Sequence, residues 1–246
     1  MKISIITVVK NDEEYIEKTI KSVINQNQPL EYIVVDGNSS DSTLKIIKKY
    51  KDKIHLIISE NDTGLYDAMN KGIKEATGDI IGICNSGDVI NNNGITLVLN
   101  EFKSKNLDFV FATVRRNYMG DPVIKSGFDE RKIYYNFDFA TCHSTGFYIK
   151  NDAQKQLGLY DTNFKCSADY DFFYRMINSK KYIGGSTPKN IIVGEVAKGG
   201  FSSTISFFDH LHEETKIRFK NKQNFVLIFA IYINALIKKL LKIKIT

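Results

Sequence analysis

The sequence predicts an α/β protein built on a doubly wound, mostly parallel sheet, and three observations carry that expectation. A β-branched run, Ile3, Ile5, Ile6, Val8 and Val9, opens the chain as a central parallel strand would. Strand-like and helix-like segments then alternate in a β-α-β-α-β-α-β rhythm over about ninety residues, which implies right-handed crossovers. Polar, acid-bearing turns follow three of the strands: Thr7 to Asn11, Asp36 to Asp41, and Asn85 to Asp88. In such sheets ligands sit beyond the carboxyl ends of the strands, so these turns mark the functional edge.

The elements follow in order. Asn11 or Asp12 is expected to cap the first helix, whose apolar face is Tyr15, Ile16, Ile20, Val23 and Ile24. Pro29 closes that unit, and Tyr32–Val35 is a second strand ending at Asp36. Asp41-Ser42-Thr43 caps a helix to about Tyr50, and Ile54–Ile58 is a third strand. A helix from about Leu65 to Ala76 leads to a fourth strand, Ile80–Cys84. The second half is less regular, with strand-like stretches at Phe109–Val114 and Phe147–Ile149 and a helix from about Asp169 to Ile177.

Hydrophobic residues make up 43% of the 246, enough for one large core domain plus an appendage. The net charge of +6 suggests nucleic acid until it is located. Thr215 to Thr246 holds eight Lys or Arg and no acid, which leaves residues 1–214 at −2. A slightly acidic body argues against nucleic-acid binding, and the basic tail points to an anionic surface. Cys84, Cys142 and Cys166 are widely spaced and predict reduced thiols rather than a disulfide framework or metal set. Met1-Lys2 runs straight into the first strand, which predicts no signal peptide and a cytoplasmic location.

The turn after the first strand is Lys10-Asn11-Asp12-Glu13. It lacks the glycines of a dinucleotide fingerprint, and no P-loop pattern occurs, so hydride transfer and P-loop phosphoryl transfer fall away. Acids at strand ends bind a diphosphate only through a divalent cation, Mg²⁺ or Mn²⁺.

Four ordered blocks, SIITVVKNDEEYIEKTIKSV, YIVVDGNSSDST, ENDTGLYDAMNKGIKEATGDIIGICNSGD and SADYDFFYRM, resemble the family 2 glycosyltransferases, the large inverting group with the GT-A fold. The resemblance spans roughly residues 2–205 and points to the branch that assembles bacterial O-antigen and capsule. It implies an inverting transferase that moves a hexose-type sugar from a nucleotide-diphosphate donor, UDP foremost, to a glycan or lipid-linked acceptor. A non-catalytic or nucleotidyltransferase-like protein that binds nucleotide-sugar at a membrane surface is the competing reading.

By that resemblance Asp36 contacts the base, Thr7 and Val8 flank it through backbone atoms, and Asn70 or Lys71 faces the nucleotide. Asp88 matches the last acid of the D-x-D-type metal motif, with Asn85 offering a neutral oxygen where many relatives carry a second carboxylate. Met69 stands where many relatives carry Arg. Asp169 matches the base, with Ala168 where Glu is usual. Asp171 is its rival, expected to support the helix and pair with Arg175. His143 resembles a histidine on the acceptor side, and Asp171 is assigned to that side with it. Gly194 to Ser203 is expected to form a loop that closes over donor. His210 and His212, two apart, suit neither one helix face nor a metal pair.

The expected division is therefore a GT-A domain over residues 1–205 and an amphipathic helical tail over 206–246. Phe225 to Ile233 is apolar but too short and lysine-flanked to span a bilayer, which takes about 20 apolar residues. It predicts a peripheral association with the inner face of the cytoplasmic membrane.

Overall fold

A computed structural model describes residues 1–117, 122–135, 140, 143–199 and 204–241. Cys142, Gly200 to Ser203, Lys242 and Lys244 lie outside the described residues. The first half alternates as expected: β1 (Ile3–Val9), α1 (Ile16–Ile24), β2 (Leu30–Asp36), α2 (Thr43–Lys48), β3 (Leu56–Ser59), α3 (Leu65–Glu75) and β4 (Ile80–Ile83). There follow β5 (Val89–Ile90), α4 (Gly94–Lys105), β6 (Phe109–Phe111), β7 (Val114–Arg116) and β8 (Val123–Lys125). Then come β9 (Phe147–Lys150), α5 (Asn151–Leu157), α6 (Ala168–Asn178), β10 (Gly184–Ser186), β11 (Gly194–Val196), α7 (Phe207–Lys220) and α8 (Phe225–Leu240).

The main sheet runs β10-β6-β9-β4-β1-β2-β3. β1 pairs in parallel with β2 and β4, and β2 in parallel with β3, whereas β9 is antiparallel to both β4 and β6. Every residue of β1 is buried, because both faces of the sheet are covered. The pleat sends Ile6 and Val8 into one apolar cluster and Ile3, Ile5 and Val9 into the other. Gly72 lets α3 press against β1, since a Cβ there would lie 2.4 Å from Ile6 Cγ2.

A second, four-stranded sheet, β5-β11-β7-β8, was not legible in the sequence. The stretch Phe109–Val114 is not one strand but two ends of a crossing. β6 stays in the main sheet, and the chain leaves it at Ala112, whose N–H donates to Gly146 O at 2.7 Å. β7 then joins the second sheet, where Thr113 O accepts from Val193 N at 2.8 Å.

The helix starts also differ from expectation. α1 begins after Tyr15 with no side-chain cap. Asn11, at φ 50°, instead accepts Ser40 N–H at 2.8 Å, and Asp12 accepts Ser86 O–H at 2.5 Å. Both residues stitch neighbouring loops together. Asp41 accepts Thr43 N–H at 2.9 Å just ahead of α2, whose N-cap Ser42 makes no side-chain cap hydrogen bond.

The C-terminal segment forms two unlike helices. Ile217 of α7 joins the apolar cluster that contains Tyr170 and Tyr174 of α6, and Arg218 is buried with its Nη1 donating to Tyr134 O at 2.9 Å. α8 buries Ile228 but leaves Phe225 71% and Phe229 66% exposed. No helix among the described residues is long and apolar enough to cross a membrane.

Candidate functional site

The carboxyl edge of the parallel strands opens into a cavity of about 1240 Å³. Val8 and Asp12 line it from the end of β1, Gly64, Tyr66 and Met69 from α3, Asn85 and Asp88 from the end of β4, and Asp169 from α6. Gly64 starts α3 at φ 141°, ψ 177°, a backbone conformation that is essentially glycine's alone.

Asp88 sits at the rim, 4% exposed. Its Oδ2 accepts the Thr145 hydroxyl and its Oδ1 the Ala197 N–H at 2.9 Å. His143 Nδ1 lies 3.8 Å from Oδ2 and accepts Thr145 N–H at 3.3 Å, so the other ring nitrogen carries the proton. Burial lowers the His143 pKa, with Asp88 opposing that shift. His143 therefore stands at the Asp88 end of the cavity.

The fit of a divalent cation rests on these atoms. Among the described residues no three His, Cys, Asp or Glu side chains gather for a metal. Asn85 Oδ1, however, is buried without a hydrogen-bond partner, while its amide donates to Ser144 Oγ at 2.9 Å. A carboxylate has about four acceptor sites, so Asp88 keeps capacity beyond Thr145 and Ala197. One carboxylate and one amide oxygen fit a Mg²⁺-like ion that draws its remaining ligands from phosphate and water.

Asp169 stands in the first turn of α6, and its Oδ1 accepts Tyr170 N–H at 2.8 Å and Tyr66 O–H at 3.1 Å. Burial pushes its carboxyl up to about 6, with those two hydrogen bonds opposing the shift. A carboxylate held near neutrality is matched to proton abstraction. Tyr66, inside the DTGLYDAMN stretch, is a positioning residue that residue types alone did not reveal.

Five expected site residues do not line the cavity. Thr7 is buried below it and accepts the Tyr32 hydroxyl at 3.0 Å. Asp36 is fully buried, and its oxygens take the Ser39 hydroxyl at 2.5 Å and the Ser59 hydroxyl at 2.7 Å, closing the loop after β2. Asn70 clasps the backbone of Tyr160 at both ends, donating to its oxygen at 2.9 Å and accepting its N–H at 3.0 Å. Lys71 is held by Glu60 at 2.9 Å and by Asn61 O at 2.6 Å. Asp171 is fully buried and pairs with Arg175 at 2.9 Å and Lys220 at 3.0 Å, which ties α6 to α7 and removes it as rival base and acceptor contact. Val8, Asn85, Asp88, His143 and Asp169 do meet at the cavity.

The sequence did not indicate that α7 closes this cavity. Its residues His210 and Glu214 line it, while His212 faces solvent.

Comparison with known proteins bears on this arrangement. Residues 4–167 match the model described as Glycosyl transferase family 2. Poly(ribitol-phosphate) beta-N-acetylglucosaminyltransferase TarS of Staphylococcus aureus is 36% identical over 97 residues, covering 37% of this chain and 17% of that protein. The putative teichuronic acid biosynthesis glycosyltransferase TuaG of Bacillus subtilis is 36% identical over 90 residues, 35% of this chain and 36% of that one. The matches thus span from about a sixth to about a third of these relatives. The crystal structure of S. aureus TarS 1-349 in complex with UDP superposes with a TM-score of 0.73 at 20% identity, covering 97% of this chain and 71% of that one. Mannosyltransferase PcManGT from Pyrobaculum calidifontis, in complex with GDP-Man and Mn²⁺, gives 0.66 at 17% identity, covering 89% and 63%. At such identities the likeness shows the fold, and the fold is GT-A.

The raised pKa of Asp169 has a consequence for stability. The folded state binds its proton more tightly than the unfolded chain, so its stabilising contribution is complete below the ordinary carboxylate pKa and is lost as pH rises through about 6. Asp169→Asn keeps both Oδ1 hydrogen bonds and never ionises. At pH 7.5 it should unfold later than wild type, by about 1–3 kcal/mol in urea titration, with the gap closing near pH 4. A variant less stable than wild type at both pH values would contradict the desolvation account.

Proposed function

This chain belongs to glycosyl transferase family 2, and from that premise we propose that it is an inverting hexosyltransferase of bacterial surface-polysaccharide assembly, of O-antigen or capsule type. The donor is a nucleotide-diphosphate sugar, with UDP as the nucleotide, and the acceptor is a hydroxyl of a glycan or lipid-linked oligosaccharide. One observation carries the reading: a single cavity joins Asp88, from the end of β4, to Asp169, eighty-one positions later on α6. Relatives named for poly(ribitol-phosphate) and teichuronic acid work, and a solved neighbour holding UDP, support the donor and the polymer class.

In this mechanism Asp88 and Asn85 would hold Mg²⁺ or Mn²⁺, and the neighbour solved with Mn²⁺ supports that class of ion. The ion, when bound, neutralises the diphosphate as a leaving group. Asp169 takes the proton of the acceptor hydroxyl, whose oxygen attacks the anomeric carbon opposite the departing diphosphate. Tyr66 holds the Asp169 carboxylate through Oδ1, which fixes where the proton is received. Val8 backs the nucleotide end. The transferase domain is residues 1–205, with α7 of the 206–246 tail adding a wall to the cavity. α8 rests on an anionic membrane through its exposed Phe225 and Phe229, with Lys238 and Lys239 in its last turn. In this reading the enzyme works at the inner face of the cytoplasmic membrane.

Asp169→Asn should lower kcat by about 10²- to 10⁴-fold while UDP affinity stays unchanged. In the wild type, kcat/KM should fall as pH drops below about 6, because the protonated carboxyl cannot act as base. Steady-state assays across pH check both, and a fully active Asn variant would remove Asp169 from the chemistry.

Asp88→Asn should erase the tightening of UDP binding by Mn²⁺. Calorimetry reads this directly: equal UDP affinity in Mn²⁺ and in excess EDTA for wild type would end the metal-bridged mechanism.

Replacing the exposed Phe225 and Phe229 together by Glu should release the protein from anionic liposomes without changing UDP affinity. Continued co-sedimentation of the double variant would show that α8 does not face lipid.

A further inference from the structure

His143 and Asp171, the residues expected on the acceptor side, are both engaged by other groups. His143 is drawn to Asp88, and Asp171 is consumed by Arg175 and Lys220. α7 lines the same cavity as Asp169, and one carboxylate ties it to the entry of α6. Glu213 accepts three consecutive backbone N–H groups, those of Lys165 at 2.7 Å, Cys166 at 2.9 Å and Ser167 at 3.0 Å, together with the Cys166 thiol at 3.1 Å. These are the residues that lead into α6, so the same contact sets both α7 and the first turn that carries Asp169.

With Glu213 turned to α6, its neighbour Glu214 and the residue one turn earlier, His210, both line the cavity. A spacing of four puts them side by side on one helix face. Below them Leu211, Ile217 and Arg218 are buried, so the pair is presented from a rigid base. Burial pushes the Glu214 carboxyl up, with Arg218 and His210 opposing that shift and Asp169 adding to it. The cavity, at about 1240 Å³, exceeds the roughly 300–1,000 Å³ usual for one small ligand and has room for donor and acceptor together.

We propose that His210 and Glu214 form the acceptor subsite, binding adjacent hydroxyls of a sugar ring or polyol so that the next hydroxyl meets Asp169. An imidazole and a carboxyl together accept and donate, which matches hydroxyls that must do both. The proposal rests on the glycosyl-transfer reading and adds the recognition of its acceptor. Glu213 is the positioning residue of this wall, and the recognising pair are its neighbours.

The test uses the whole chain with UDP and Mg²⁺ and, as probes, methyl glucoside, methyl galactoside and ribitol at tens of millimolar, followed by saturation-transfer NMR. Wild type should bind at least one probe. Glu214→Gln and His210→Gln should each weaken it about ten-fold, the scale of one hydrogen bond to a charged or strongly polar group, with UDP affinity unchanged by calorimetry. Wild type binding none of the probes, or both variants binding like wild type, overturns the subsite. So does loss of UDP affinity together with probe binding in both variants, because that makes α7 only a structural support. Probe binding lost in the variants of a wild type that does not bind UDP would keep the subsite and refute the donor assignment instead.

Discussion

Parallel strands that end together crowd their loops at one edge, and the polar groups there have to be satisfied before any ligand can be. Acidic and amide side chains meet that demand here. Asn11 reaches Ser40, Asp12 reaches Ser86, Asp36 gathers Ser39 and Ser59, and Asp41 accepts Thr43 N–H at the start of α2 and Glu13 N–H at 3.3 Å. An unpaired buried polar group costs about 1–3 kcal/mol, so this network is what lets the edge stand as a rigid floor. Asp88 sits one step further out. It is tied down by Thr145 and Ala197, yet it still borders the open cavity.

This distinction between floor and rim explains which acids border the cavity. Asp36 ends a strand whose loop folds back over it, and its carboxylate is fully enclosed. Asp88 follows Gly87, whose φ of 91° turns the chain so that the next side chain reaches the rim. Asp169 arrives from the opposite direction, on the first turn of a helix that is buried almost all round. Desolvation there raises its pKa, and Tyr66 and the Tyr170 N–H limit the rise. The outcome is a carboxylate with a proton affinity near neutrality, facing another that is held as an acceptor for its neighbours.

α7 couples the basic C-terminal segment to this chemistry. It is docked by Glu213 on the entry to α6, by the buried Arg218 and by Lys220, which reaches both Asp161 at 2.7 Å and Asp171 at 3.0 Å. α8, by contrast, buries little of its apolar surface against the body. Two adjacent helices of unlike composition thus serve different ends, the charged α7 supporting the cavity and the apolar α8 presenting a hydrophobic face outward.

Local pattern determined a great deal by itself. The β-branched runs and helical periodicity fixed β1 to β4 and α1 to α3 to within a few residues, because period-2 and period-3.6 burial is written in adjacent positions. The carboxyl edge, Asp88 with Asn85, and Asp169 were likewise legible from ordered motifs. Tertiary structure alone decided the rest. The second sheet and the antiparallel β9 depend on pairings between segments far apart, such as β7 with β11, which no local period encodes. Asp36, Asn70 and Asp171 have the residue types of a binding site, but their partners, Ser59, the backbone of Tyr160, and Lys220, lie 23, 90 and 49 positions away. A carboxylate or amide serves as a ligand or as a brace according to what the fold packs against it, and that is set by distance in space rather than along the chain.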